Sequence, residues 1–349
     1  MTRIYLVRHA EAEGNLYRIV QGQGNSNLTD RGWRQVEALQ KRFADVSIDA
    51  VYTSDLYRTC ATASAIYKPK GLVPFRRKDL REIYVGDWES RTWGDIARRW
   101  PEQMKYFSHR PDLWYSEGAE LPMEVLERIK EAVFSIIAEN EGKTIAIVSH
   151  GYAIRLLLAY LQGYPTERMG ESPTGQNTAV SLLEWENGTL NVLYRDDISH
   201  LQTAEYLAGD KVRRKSDPLE PGLWFRKPEG SEAAQLAACC GVTVQDGLQT
   251  LIGWSWDTPV GVVQLGPEAG QIATMCILPE YRNKGFGGQL IGQAVQWTRN
   301  LGGEFLSIIL PEGNVSADFL MDYGFRLAEE DSRLLIKDIR FLPEFLSEE

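Results

Sequence analysis

The chain has 349 residues, which at a typical ~150 residues per domain predicts two domains, each long enough to bury its own core. With 43% hydrophobic and 25% charged residues, disorder, collagen and coiled coil are excluded as the dominant state, and no apolar run approaches the ~18 residues of a membrane span. The formal net charge of −10 argues against nucleic acid or an anionic membrane as the main partner, so an anionic substrate must be drawn in by a local basic site.

The chain opens with a short apolar run over 4–7, too short for a signal-peptide core, and a cytoplasmic protein is expected. That run reads as a strand. A polar loop over 15–27 follows, then a helix capped by Thr29 and Asp30, with Trp33, Val36, Leu39 and Phe43 at helical spacing. Next come a strand over 50–53, a helix over 56–67, an aromatic-rich lid over 98–120, a helix over 122–140, a strand over 144–148 and a helix over 152–161. The alternation predicts a mostly parallel sheet covered on both faces. A hairpin over 179–185 and 189–195 turns at Glu186, Asn187 and Gly188. The expected domains are 1–205 and 220–349, with a linker over 206–219 rich in Gly, Pro and charge. The second part has its own α/β pattern: strands near 223–226, 250–256, 260–265, 271–278 and 304–310, and helices over 231–240, 289–301 and 315–322. Its sheet is expected to be mixed. Cys60, Cys239, Cys240 and Cys276 show no metal-ligand spacing and are expected to be reduced and buried.

All histidines, His9, His109, His150 and His200, lie in the first part, so chemistry that uses histidine belongs there. Arg8 and His9 follow the first strand, Arg58 begins the helix after the second, and His150-Gly151 follows the strand over 144–148. In an open parallel sheet, strand ends of this kind line the ligand crevice. Phosphoryl transfer needs cations for the equatorial oxygens, a nucleophile and a proton donor. Two Arg forks, two imidazoles and Glu82 in a nearby loop supply that set. His109 reads as a surface residue and His200 as structural.

The blocks Leu6-Val7-Arg8-His9-Ala10-Glu11-Ala12-Glu13-Gly14-Asn15, Thr53-Ser54-Asp55-Leu56-Tyr57-Arg58-Thr59, Leu80-Arg81-Glu82-Ile83 through Glu89, and Val148-Ser149-His150-Gly151 resemble, in order, the histidine phosphatase (phosphoglycerate mutase-like) superfamily. The resemblance covers roughly 1–201 and implies a three-layer α/β fold. It implies that His9 is phosphorylated, that Arg8, Arg58 and His150 bind phosphate and that Glu82 is the acid/base. By the same resemblance Asn15, Gln21, Gly22 and Gly151 add substrate contacts; no metal is expected, because side chains supply the cations and no carboxylate cluster resembles a metal cage. Ala10 stands where the family usually has Gly. The aromatic lid, with Trp100, Met104, Tyr106, Phe107, Trp114 and Tyr115, and the segment 81–89 look more like the broad-specificity and α-ribazole-phosphate phosphatase branches than the glycolytic mutases. Mutase-type transfer is the alternative, and packing in the core is the other reading of the aromatics.

In the second part a strand leads through Pro279-Glu280-Tyr281-Arg282-Asn283-Lys284-Gly285-Phe286-Gly287-Gly288 into a helix. Successive backbone N–H groups at a helix start suit a pyrophosphate. The Arg-x-x-Gly-x-Gly spacing, with Asn314 and Tyr323-Gly324-Phe325, resembles the GNAT-type N-acetyltransferases over roughly 220–340. It implies acetyl-CoA held by Arg282, Asn283, Lys284, Gly285, Phe286, Gly287, Gly288 and Asn314, backbone contacts around Ile277, and a small amine as acceptor. Leu320 occupies the position where many members carry an acid tyrosine. Two functions are therefore expected as alternatives for this part: an acetyltransferase acting beside a phosphomonoesterase, or a CoA-sensing module that no longer transfers.

Overall fold

The computed structural model describes residues 1–210, 221–268, 270–310, 317–329 and 331–346. The first unit runs β1 (Thr2–Arg8), α1 (Glu13–Tyr17), α2 (Asp30–Arg42), β2 (Ala50–Ser54), α3 (Tyr57–Tyr67), β3 (Phe75–Arg77), α4 (Trp93–Arg99), α5 (Pro101–His109), α6 (Pro122–Glu139), β4 (Thr144–Ser149), α7 (Gly151–Leu161), β5 (Val180–Glu186), β6 (Thr189–Asp197) and α8 (Ala204–Gly209). Its sheet has the order β3-β2-β4-β1-β5-β6, parallel from β3 to β1 and antiparallel at β5 and β6.

Strand side chains alternate between faces, and β1 and β4 are apolar on both. Ile4, Leu6, Ile145 and Ile147 meet Ile129, Val133 and Ile136 of α6 and Leu157 of α7. Val7, Ala146 and Val148 meet Val36 and Leu39 of α2 and Ala61 of α3. The sheet is thus sandwiched, as expected from the near-continuous apolar runs. Thr29 caps α2 by accepting from the Gly32 N–H at 3.0 Å, and Asn187 (φ 50°) and Gly188 (φ 81°) form the β5–β6 turn, whose left-handed conformations suit Asn-Gly.

The second unit runs β7 (Trp224–Arg226), α9 (Glu232–Cys239), β8 (Thr250–Ser255), β9 (Thr258–Leu265), β10 (Gln271–Ile277), α10 (Phe286–Asn300), β11 (Phe305–Ile309), α11 (Ala317–Met321), β12 (Arg326–Leu327) and β13 (Leu334–Asp338). Its sheet, β12-β13-β11-β10-β9-β8-β7, is antiparallel except between β10 and β11. Those two strands pair only at Gln271–Ser307 and Ile272–Ile308.

Three expectations need correction. The segment entering the linker is ordered into the first unit: Tyr206 is buried, and Asp210 binds Arg31 and Arg34. The linker residues 211–219 lie outside the described residues. Cys239 is exposed because it ends α9 on the outer side, whereas Cys60 and Cys276 are buried as expected; all the cysteines are free. The segment 341–346 packs on the first sheet's α2–α3 side rather than on the second sheet, with Phe345 at 1% exposure edge-on to Tyr57 at 5.9 Å and beside Trp33. Phe345→Ala should destabilise the protein by about 3 kcal/mol, the scale of emptying a buried aromatic site, measured as a lowered urea midpoint for the transition of the first unit.

Candidate active site

Parallel pairing of β1 with β4 places Arg8 opposite Ser149, and the His9 N–H donates to the Ser149 carbonyl at 3.0 Å. The residues following each strand, His9 and His150, therefore emerge side by side, with ring centroids 5.4 Å apart. The helices after β1 and β2 cover one face and α7 after β4 the other, which opens a crevice between the strand ends.

His9 is buried, and its Nδ1 lies 2.7 Å from the Ala10 carbonyl. A carbonyl only accepts, so Nδ1 carries the proton and Nε2 keeps its lone pair. Burial, then Arg58 and Arg8, hold His9 well below the usual imidazole range. His150 is lowered likewise, by burial first and then by Arg58 and His9. Both imidazoles are neutral at pH 7.

Arg58 is 1% exposed and is fixed by the carbonyls of Gly24 and Gly22, each at 2.8 Å; burial lowers its guanidinium to about 10. Arg8 donates through Nη1 to the Gly175 carbonyl at 2.5 Å. Burial is the largest influence on Arg8 as well. Among the described residues, Arg8 Nε and both ring nitrogens of His150 are buried without a protein hydrogen-bond partner. Orphaned buried polar groups of this kind are rare and costly unless a ligand or water meets them.

Glu82 sits at the N-terminus of α7, where it accepts from the Tyr152 and Ala153 N–H groups at 3.0 Å each. Its loop is tied down by the Ser149 hydroxyl on the Leu80 carbonyl and by Arg128 on the Asp79 and Arg81 carbonyls. Arg8, His9, Asn15, Gln21, Arg58, Glu82 and Gly151 line one cavity of about 460 Å³. Gly151 admits Arg8: a Cβ there would lie 2.9 Å from Arg8 Nε. Gly22, expected at the substrate, instead holds Arg58 and receives Glu89 on its N–H at 3.2 Å. Gln21 accepts from Ser26 at 2.6 Å.

The aromatic lid divides between the two readings. Trp114 is buried edge-on to Trp88 at 5.4 Å, and Tyr115 faces solvent. Phe107, stacked on Tyr152 at 4.4 Å, and Met104 reach the cavity with Trp93, Ile19, Val20, Ile83 and Val85. His109 is exposed but ends α5 rather than lying in a loop. His200 is structural as expected, with Nε2 3.0 Å from the Thr178 hydroxyl. Two positioning groups escaped the sequence reading. The Thr62 hydroxyl accepts from the Ala10 N–H at 2.8 Å, and Asn177 donates to the His9 carbonyl at 3.0 Å. Both sit in unpatterned positions that become neighbours of His9 only through folding.

In the second unit Asn283 (φ 61°) and Gly285 (φ 80°) adopt left-handed conformations before α10, and a Cβ at Gly285 would meet nothing within 4 Å among the described residues. The helix starts earlier than expected, so Gly287 and Gly288 lie in its first turn. Their Cα atoms are covered by protein: a Cβ at Gly287 would come 2.6 Å from Phe319, and one at Gly288 2.3 Å from Tyr323. The Ile277 carbonyl accepts from Arg282 Nε at 3.2 Å, and Lys284 lies over the Tyr281 ring. Leu320 is 2% exposed inside the apolar core. Asn314 lies outside the described residues.

The model of the histidine phosphatase superfamily (branch 1) matches residues 4–197, more than half of the chain, and the chain belongs to that superfamily. The acetyltransferase (GNAT) family model matches residues 198–325, so one chain joins the two families. Similar proteins include the probable phosphoglycerate mutase GpmB of Serratia proteamaculans, 34% identical over 168 residues, covering 47% of this chain and 77% of that one. Phosphoserine phosphatase 1 of Hydrogenobacter thermophilus is 28% identical over 163 residues, again covering 47% of this chain and 77% of its own. The solved structure of Bacillus stearothermophilus YhfR superposes with a TM-score of 0.56 at 33% identity, covering 58% of this chain and 100% of that one. No helix among the described residues is long and apolar enough to cross a membrane.

The buried His200 gives a pH test. Burial, then Arg42, lowers its imidazole from 6.5 to about 4. Between those values the unfolded chain binds a proton that the folded chain refuses, so this contribution is complete above 6.5 and is lost as pH falls towards 4. A shift of that size corresponds to roughly 3 kcal/mol. In urea unfolding compared at about pH 7 and about pH 4.5, His200→Gln should lose less stability on acidification than the parent.

Proposed function

We propose that the first unit hydrolyses phosphomonoesters through a phosphohistidine on His9. The observation that supports this most directly is the set of buried, unpartnered donors, Arg8 Nε and the His150 ring, converging with Arg58 beside a neutral imidazole whose Nε2 is free of its proton. A phosphoryl group would accept charge-assisted bonds from Arg8 Nε and Arg58 and a further bond from the protonated nitrogen of the His150 ring. His9 Nε2 attacks phosphorus as the P–O bond to the alcohol breaks, and Glu82 gives the leaving oxygen its proton. Water, deprotonated by Glu82, then breaks the P–N bond to release phosphate. Arg8, Arg58 and His150 stabilise the equatorial oxygens in both steps, and Asn15, Gln21 and Gly151 shape the substrate's approach.

Hydrolysis is favoured over mutase transfer by the cavity wall. Beyond Arg8 and Arg58, the described cavity lining offers Arg155, which donates to the Ser172 and Gly170 carbonyls, and Arg18, which donates to the Pro221 carbonyl. The remaining wall is apolar and suits an ester with an apolar leaving group. His9→Ala should lower p-nitrophenyl phosphate turnover by on the order of 10³-fold or more and abolish acid-labile phosphate labelling. Because side chains supply the positive charge, activity should withstand EDTA. Mutase activity on 3-phosphoglycerate exceeding hydrolysis would reverse the assignment.

For the second unit we infer acetyl-CoA binding at the start of α10. The supporting features are the open backbone at Gly285, the N–H groups of the first turn of a long helix, and the parting of β10 from β11 beyond Ile272. Acetyl-CoA there would offer an activated thioester to a small amine. Leu320, sealed in the core, cannot protonate a leaving thiolate, so sensing is favoured over fast transfer. Saturating acetyl-CoA should raise the melting temperature of the full chain by mass action, ~2.7 kcal/mol at a hundredfold excess over Kd. Gly285→Val, forced into a left-handed conformation, should remove that shift.

A further inference from the structure

The phosphatase cavity is walled on one side by Gly14, Asn15, Arg18, Ile19, Val20 and Gln21, and this wall starts in α1, a single five-residue helix. A helix so short does not hold itself together. Its end, Arg18, is a non-glycine residue at φ 55°, a conformation that persists only where surroundings over-determine it. The first unit holds its backbone, with the Trp93 N–H on the Arg18 carbonyl at 3.0 Å and Ile19 bridged to Thr92, and the second unit holds its side chains, beginning with Arg18 Nε on the Pro221 carbonyl at 3.3 Å.

Tyr17 is 2% exposed and belongs to the same apolar cluster as Leu290, Ile291 and Ala294 of α10. Gly292 makes the seat: a Cβ there would fall 2.5 Å from Tyr17 Cβ. Glu13, also buried, receives Arg299 of α10 at 2.6 Å, and Arg299 is itself fixed on the Ile339 carbonyl at 2.7 Å. From α1 the contacts continue to the nucleophile. Asn15 Oδ1 accepts from the Ala12 N–H at 3.0 Å and from Asn177 at 3.3 Å, and the same Asn177 nitrogen donates to the His9 carbonyl at 3.0 Å.

We propose that α10 is a structural part of the phosphatase site, with Arg299 and Gly292 as positioning residues that set α1, Asn15 and the cavity wall for the phosphoester. The inference rests on the phosphatase reading above. Its consequence is that substrate affinity in the first unit is written partly in the second. His9, Arg8, Arg58 and Glu82 are anchored within the first unit, so loosening α1 acts mainly on binding.

The test uses the full chain with p-nitrophenyl phosphate as substrate and inorganic phosphate as competitive inhibitor. Arg299→Ala should raise KM and the phosphate inhibition constant by on the order of tenfold with kcat changed much less. Arg299→Lys, which keeps one charge–carboxylate contact, should recover part of the loss. Gly292→Ala should repeat the KM effect by pushing on Tyr17. Arg226→Ala, which removes an ion pair to Glu232 elsewhere in the second unit, serves as the control for general destabilisation and should leave KM unchanged. If Arg299→Ala fails to fold, Glu13→Gln probes the same pair with its packing kept. Unchanged KM in the folded Arg299 or Glu13 variants, or an equal rise in Arg226→Ala, would overturn the proposal. A parent protein that hydrolyses no phosphomonoester would instead overturn the phosphatase reading.

Discussion

Two guanidinium groups and two imidazoles are brought together, most of them out of water, where β1, β2 and β4 end, and among the described residues neither arginine is ion-paired to a carboxylate. Taking such charge from solvent is expensive, and the surrounding structure is arranged around that cost. Glycine carbonyls at 22, 24 and 175 hold the arginines in place of carboxylates. The imidazoles stay neutral first because they are buried and then because charged arginines lie beside them. An anionic group entering the crevice would complete the electrostatics, and the proposed reaction would use the lone pair left on His9.

The layers follow from this requirement. Register between two parallel strands puts Arg8 beside Ser149 and so His9 beside His150; a slip of one residue would turn one ring into the core. The switch of helices from one face to the other opens the crevice, and the N-terminus of α7 receives Glu82 with two backbone donors. The apolar clusters on either side of the sheet keep those strand ends in place.

Much of this was legible before folding, for a physical reason. Strand ends are marked by a change from apolar alternation to polar residues, so Arg8, His9, Arg58 and His150 announce themselves locally, and the Arg-x-x-Gly-x-Gly loop does the same. Residues that act through long-range contact carry no local mark. Thr62, Arg128 and Asn177 look like ordinary helix or loop positions until the chain brings them to Ala10, the Glu82 loop and His9. The glycines of α10 were the subtler case: Gly287 and Gly288 read as space for a ligand, but their Cα atoms face Phe319 and Tyr323, and Gly292 turns out to seat a residue of the other unit. Composition shows that a helix needs room on one face, and only the packing shows what occupies it.

The return of residues 341–346 to the first sheet gives the molecule a timing problem. The α2–α3 surface around Trp33 and Tyr57 is made early in synthesis, yet Phe341 and Phe345, which cover it, follow much later in the chain. At a synthesis rate of ~5–20 residues per second, that apolar surface waits on the order of tens of seconds for its cover. A nascent chain in that interval resembles a domain with an open seam, and chaperone engagement, rather than the catalytic centre, would be the first thing altered by moving the strap elsewhere in the chain.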